Sequence, residues 1–222
     1  MDRILRAAPG WEDGIADALR RADRPIPLDE RLLPRSATGE VDRRRYDRAA
    51  FPPARPAATL LALYPDEAGR LVVPLTVRHA EMRSHAGEVS LPGGAVDDAD
   101  PSPEAAALRE AWEEIGLEPE LVRVVGVLDD VWIPVSNFEL RPFVGTLGSR
   151  PTLTPHDAEV ASIIELPLEA LFDKAVFGTE EFSVRGFTLQ AGAYRYGGAR
   201  VWGATALTLG MLAHVLEGGA PS

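Results

Sequence analysis

The chain of 222 residues contains no cysteine, so neither a disulfide framework nor a thiolate metal site is open to it. Any metal has to be held by carboxylates, histidines or backbone oxygens. Positive charge is also scarce. With 23 basic against 34 acidic residues the formal charge is −11, which disfavours nucleic acid and anionic membrane surfaces as partners. No apolar run approaches the roughly 18 residues of a membrane span, and the opening MDRILRAAPGWEDG lacks the apolar block of a secretion signal. A cytoplasmic protein is the expectation. An acidic chain can still bind a phosphorylated small molecule where local arginines or bound cations reverse the field.

A hydrophobic content of 45% suffices for one medium-sized domain with a full core. Residues 1–55, rich in arginine, aspartate and proline, read as an N-terminal appendage with an amphipathic helix around Trp11–Arg21; residues 56–218 read as the domain itself. From Ala57 the runs AATLLALY and RLVVPLTVR, separated by the turn-forming PDEAG, predict a hairpin. A helix is expected over 103–115: Ser102 can cap it, Pro103 suits its first position, Glu104 suits its dipole and Gly116 ends it. Further strands are expected at 121–128, 139–147, 159–166 and 182–189, and helices at 167–173 and 203–216. The mixture predicts an α/β (α+β) sandwich.

In the 103–115 helix, Leu108, Ala111, Trp112 and Ile115 follow the spacing of an apolar stripe that faces a core. Glu110, Glu113 and Glu114 lie on the opposite face, within about 100° of one another, so that they can converge on one point. A solvated face and a divalent-metal site both fit this pattern. Against the solvated face, three like charges near a helix carboxyl end repel one another and oppose the macrodipole, each effect costing a few tenths of a kcal/mol. Oxygen ligands of this kind suit Mg²⁺ or Mn²⁺, which are shared with substrate phosphates. The preceding LPGGAV is a tight glycine turn whose backbone can approach a ligand or metal closely.

Taken together, Gly94, Asp100, Arg109, Glu110, Glu113, Glu114, Gly116 and Leu117 resemble the Nudix box, in which a glycine and a distant acidic residue precede REUxEExGU, with U apolar. REAWEEIGL fits the second half throughout. The first half departs from the pattern: Asp100 replaces a glutamate, and its spacing to Arg109 is one residue longer. Upstream, LTVRHAEMRSHAGEVSLPGG at 75–94 resembles the added signature of the coenzyme A pyrophosphatase branch through Leu75, Thr76, Arg78, Arg83, Gly87, Pro92, Gly93 and Gly94. Pro74, His79 and Leu91 depart from it.

The resemblance implies a Nudix α/β/α sandwich with a mixed sheet. It also implies Mg²⁺- or Mn²⁺-dependent cleavage of a nucleoside-linked pyrophosphate, with coenzyme A or acyl-CoA as the substrate. On this reading Glu110, Glu113 and Glu114 hold the metal with the carbonyl of Gly94, Glu113 or Glu114 doubles as the base, and Arg109 orients a glutamate. An exposed ion pair would equally explain Arg109. Coenzyme A also carries a 3′-phosphate, so Arg78 and Arg83 are read as substrate contacts. Glu159 resembles a downstream acidic residue that binds metal or acts as base in many Nudix enzymes, and a strand-end surface charge is the alternative. Trp112, Trp132 and Phe138 are read as packing residues, although one could stack on adenine; His79 and His85 are given no role. A homodimer is compatible with the pattern. The rival functions are hydrolysis of NADH or ADP-ribose, and a non-catalytic nucleotide sensor.

Overall fold

The structure, a computed structural model, describes residues 5–36, 48–79, 88–156, 158–184 and 187–218. Helix α1 (Trp11–Arg21) precedes strands β1 (Arg55–Pro65), β2 (Leu71–Arg78), β3 (Val89–Ser90) and β4 (Gly93–Ala95). Helix α2 (Pro103–Ile115) follows, then β5 (Arg123–Val127), β6 (Val131–Ile133), β7 (Phe138–Thr146), β8 (Val160–Pro167), β9 (Phe177–Val184), β10 (Phe187–Tyr196), β11 (Ala199–Val201) and α3 (Gly203–Leu216).

The run AATLLALY is buried on both faces because it forms the middle of the larger sheet. β1 lies parallel to β7 from Arg55↔Phe138 to Leu63↔Thr146, and β5 and β6 pair antiparallel with the far edge of β7. The predicted hairpin exists, but it is paired only near its turn, at Tyr64↔Val72 and Pro65↔Leu71. Beyond that point the strands part. The amino half of β1 pairs with β4, while β2 pairs with β3 and β8. This divergence opens the sheet edge at which the glycine turn is seated.

Side chains alternate across the sheet, and each set finds a different helix layer. Ala58, Leu60, Ala62 and Tyr64 face Ala106, Ala107, Ala111 and Ile115 of α2. Leu61, Leu63, Leu71, Val73 and Leu75 face the other way, into a cluster with Ile15 and Leu19 of α1 and with Leu209, Leu212 and Leu216 of α3. The result is a mixed sheet between helices. β9, β10 and β11 form a separate three-stranded antiparallel sheet. Among the described residues no helix is long and apolar enough to cross a membrane.

Three expectations change. Trp112 does not join the core stripe: it is 55% exposed, because the helix buries the narrower face centred on Ala107, Ala111 and Ile115. The strand expected over 182–189 covers the end of β9 and the start of β10, which pair from Phe187↔Val184 to Tyr194↔Phe177; the apolar alternation of Phe182 and Val184 shifts by one residue to Phe187 and Leu189, so the segment is two strands and not one. The helix expected over 167–173 is a short 3₁₀ segment, Leu168–Phe172. The helix Trp11–Arg21 forms where expected and is fully part of the common core, with Ile15 and Leu19 buried.

Candidate active site

The candidate site is built around α2. The Ser102 side chain accepts a hydrogen bond from the Ala105 N–H at 3.1 Å, Pro103 occupies the first turn, and Gly116 closes the helix with φ +67°. The carbonyls of Glu114 and Ile115 accept hydrogen bonds from the N–H groups of His156 and Thr154, both at 2.9 Å. These bonds satisfy groups a helix end leaves orphaned, and they fasten the approach to β8 onto α2. Glu159, exposed, follows immediately before β8.

The glycine turn is fixed from the sheet. The Pro92 carbonyl accepts from the Leu60 N–H at 2.9 Å and from the Thr59 hydroxyl at 2.6 Å, and Gly93–Ala95 then pair with Thr59–Ala57. A Cβ on Gly93 would collide with the Ala58 carbonyl and lie 2.7 Å from Thr59 Cα. A Cβ on Gly94 would lie 2.5 Å from the carboxyl carbon of Glu110. The Glu110 carboxylate therefore rests in space that a glycine leaves free. Gly93 N–H in turn donates to Glu114 Oε2 at 3.2 Å, so two of the three helix carboxylates bear on the turn.

Glu114 is only 6% exposed. Burial pushes its pKa up to about 7; the Gly93 N–H opposes this, the Glu110 charge adds to it, Arg78 opposes it and Glu159 adds again. Arg78 and Glu159 are thus close enough to act on Glu114, and they come from neighbouring positions, since Arg78 stands opposite Val160. Burial also raises Glu110, against the pull of Arg109.

Arg109 organises the other side. Its Nε and Nη2 grip Asp100 as a fork, each at 2.9 Å, and its Nη1 donates to Glu110 and Glu113, each at 3.0 Å. Asp100 is held below the usual carboxylate range, chiefly by the Arg109 hydrogen bonds. Its carboxylate also accepts from the Asp97 N–H at 2.9 Å, which folds the lengthened loop back on itself. The shorter acid at the longer spacing therefore still reaches the arginine.

Glu113 is exposed and paired with Arg109. Among the described residues no three acidic or histidine side chains stand close enough together to hold a metal ion. The three glutamates do not meet at one point here: Glu110 and Glu114 lie against the glycines, and Glu113 stands at the exposed rim, paired with the Arg109 guanidinium. The donor chemistry still suits a hard cation, with two carboxylates and the carbonyl-bearing Gly94 in one small cradle that a Cβ would fill.

Arg83 and His85 lie outside the described residues. Trp132 packs in the β6–β7 region, with Phe51 edge-on at 5.0 Å and its Nε1–H donated to Asn137, and Phe138 sits under Arg55. Two contributors are invisible in the sequence: the Gly93 N–H that meets Glu114, and the Thr154 and His156 backbone that ties Glu159's segment to the helix. Backbone donors carry no residue-type signal.

A profile of the NUDIX domain matches residues 53–185. An uncharacterized Nudix hydrolase NudL of Citrobacter koseri is 37% identical over 175 residues, covering 79% of this chain and 84% of its own. The NudL of an Enterobacter species is 40% identical over 154 residues, covering 68% and 78%. Among solved structures, a Nudix hydrolase from M. smegmatis, RenU, is similar at 25% identity with a TM-score of 0.44, over 63% of this chain and 81% of that one.

Proposed function

Because this chain belongs to the Nudix family and is a hydrolase of phosphoric anhydrides in nucleoside diphosphate derivatives, we propose that its substrate is coenzyme A or acyl-CoA. Cleavage of the diphosphate would give adenosine 3′,5′-bisphosphate and phosphopantetheine, or the acylated form of the latter. The observation that carries the catalytic reading is the burial of Glu114 against the Gly93 N–H beside Glu110. A merely solvated glutamate face would leave all three carboxylates in water, as it leaves Glu113. The choice of substrate rests on Arg78, Arg83 and the glycines of the 75–94 segment.

In this reading Glu110, Glu113, Glu114 and the carbonyl of Gly94 hold Mg²⁺ or Mn²⁺. The bound cation would neutralise the diphosphate and lower the pKa of a bound water. Arg109 sets the starting positions of Glu110 and Glu113, and Asp100 fixes Arg109. Glu113 or Glu114 accepts the proton of the attacking water, with Glu159 as a further carboxylate acting on the same site. Arg78, close enough to offset charge at Glu114, contacts the substrate phosphates together with Arg83.

The test is mass spectrometry of products after incubation with coenzyme A and Mg²⁺ or Mn²⁺, beside ADP-ribose and NADH. Preferred splitting of coenzyme A at its diphosphate supports the proposal. Cleavage of the competitors alone keeps the family chemistry and rejects the substrate, and no cleavage of any of them favours a sensor.

A further inference from the structure

The small sheet carries a charge arrangement that the catalytic reading does not use. Arg195 of β10 and Arg200 of β11 stand directly opposite each other across the hairpin. Like charges at such a pair are unfavourable, and stability alone would not select them. Glu180 of β9 partly offsets the repulsion: Arg195 Nε donates to one of its oxygens, and Arg200 Nη1 donates to the other at 3.2 Å. Burial would raise Glu180, but the two guanidinium hydrogen bonds hold it below its ordinary range, so the cluster of two arginines and one carboxylate keeps a net positive charge. One N–H of each guanidinium is used in this way, which leaves donors on both.

These side chains line an open concavity of about 360 Å³. Its rim is the two-glycine turn Gly197–Gly198, with φ +58° and +80°, where bare backbone admits close approach. Arg200 lies 5.2 Å over the Phe182 ring, which stacks on Trp202 at 4.2 Å, so one wall is stiff. β11 packs against β3, and only Leu91 and Pro92 separate β3 from the catalytic glycines. β10 and β11 lie beyond residues 53–185, the part matched by the family profile, which suits a role in selecting the substrate and not in the shared chemistry.

We propose that Arg195 and Arg200, spread by Glu180, form a second anion site that takes a phosphate monoester of the substrate, apart from the diphosphate that is cleaved. This rests on the coenzyme A reading, in which the monoester is the 3′-phosphate. Arg78 acts on Glu114 and is assigned here to the diphosphate; Arg195 and Arg200 supply the monoester with cations in addition to Arg83. Two guanidinium forks suit the three oxygens of a monoester better than the single charge of an anhydride oxygen.

Calorimetric titration of the full chain with adenosine 3′,5′-bisphosphate, adenosine 5′-phosphate and inorganic phosphate tests the site without turnover. The Arg195→Gln, Arg200→Gln double variant should bind the bisphosphate about tenfold or more weakly and the 5′-phosphate unchanged. Glu180→Gln should bind the bisphosphate more tightly, since it removes the competing charge; a purely structural ion-pair cluster would show only a lower melting temperature. Equal bisphosphate affinities in all three proteins, or weaker binding by Glu180→Gln, would overturn the proposal. Inorganic phosphate binding as tightly as the bisphosphate would reject the substrate as the source of the monoester. In turnover assays the double variant should raise KM for coenzyme A but not for 3′-dephospho-coenzyme A, with kcat unchanged. If wild-type protein cleaves neither compound, the coenzyme A reading fails, while the titration still decides the site.

Discussion

Adjacent glycines in the LPGG turn should respond to the same substitution in opposite ways. In Gly93→Ala the added methyl meets the Ala58 carbonyl oxygen and lies 2.7 Å from Thr59 Cα, both in the backbone of β1. That strand is held by β7 along its length and by β4 at this very position, so neither atom can yield without breaking ladder hydrogen bonds. We expect a cost of at least ~3 kcal/mol, the upper range for overpacking a rigid site. In Gly94→Ala the methyl meets the Glu110 carboxyl group at 2.5 Å, the end of a flexible side chain, and Gly94 has no left-handed φ to strain. The fold should lose about 1 kcal/mol or less, while the carboxylate is displaced by an ångström or more. Misplacement on that scale can cost about a hundredfold in rate. Urea melts paired with kcat and a Mg²⁺ titration separate the two effects. Full turnover in Gly94→Ala would refute the placement of Glu110 over the glycine as the working geometry, and wild-type stability in Gly93→Ala would refute the close approach to β1.

Other outcomes follow from the same geometry. Glu114→Gln should abolish turnover without lowering the melting temperature of metal-free protein at pH 8, because burial disfavours the ionised carboxylate that it replaces; retained turnover would remove Glu114 from the site. At the β1–β2 turn, burial would raise Asp66, yet hydrogen bonds from the Arg70 and Ala68 N–H groups and the Arg70 side chain hold it below the usual carboxylate range. A depressed carboxylate contributes stability above its unfolded pKa and loses it as the pH falls through the folded value. Asp66→Ala should therefore cost ~1–2 kcal/mol at pH 7, and the difference from wild type should shrink below about pH 4 in denaturation curves. Ile115→Ala should cost ~2–5 kcal/mol and Trp112→Ser less than ~1 kcal/mol; similar losses in thermal melts would contradict the outward position of Trp112.

Local chemistry was legible in the sequence where a signal is contained within a few residues. Ser102, Pro103 and Gly116 marked both ends of α2, and the apolar run after Ala57 marked the central strand, because capping, ring constraint and two-sided burial act on the residues that carry them. The order of acidic and apolar residues in REAWEEIGL likewise announced a helix with one face set apart for carboxylates. How burial divides that face was not legible. A helical wheel places Glu110, Glu113 and Glu114 together, yet Glu114 is buried and Glu113 solvated, since the glycine turn approaches from one side only. The sequence marks Asp100 as displaced in spacing; the folded loop shows that it still reaches Arg109.

Arg195 and Arg200 meet only because a two-residue turn reverses the chain, and Glu180 joins them from a strand paired by register. Sequence by itself determined the segments whose signals lie within a few residues, and their chemistry. Tertiary structure alone decided which charges share a site, because strand pairing and the layering of helices on a sheet bring together residues whose separation along the chain says nothing of their separation in space.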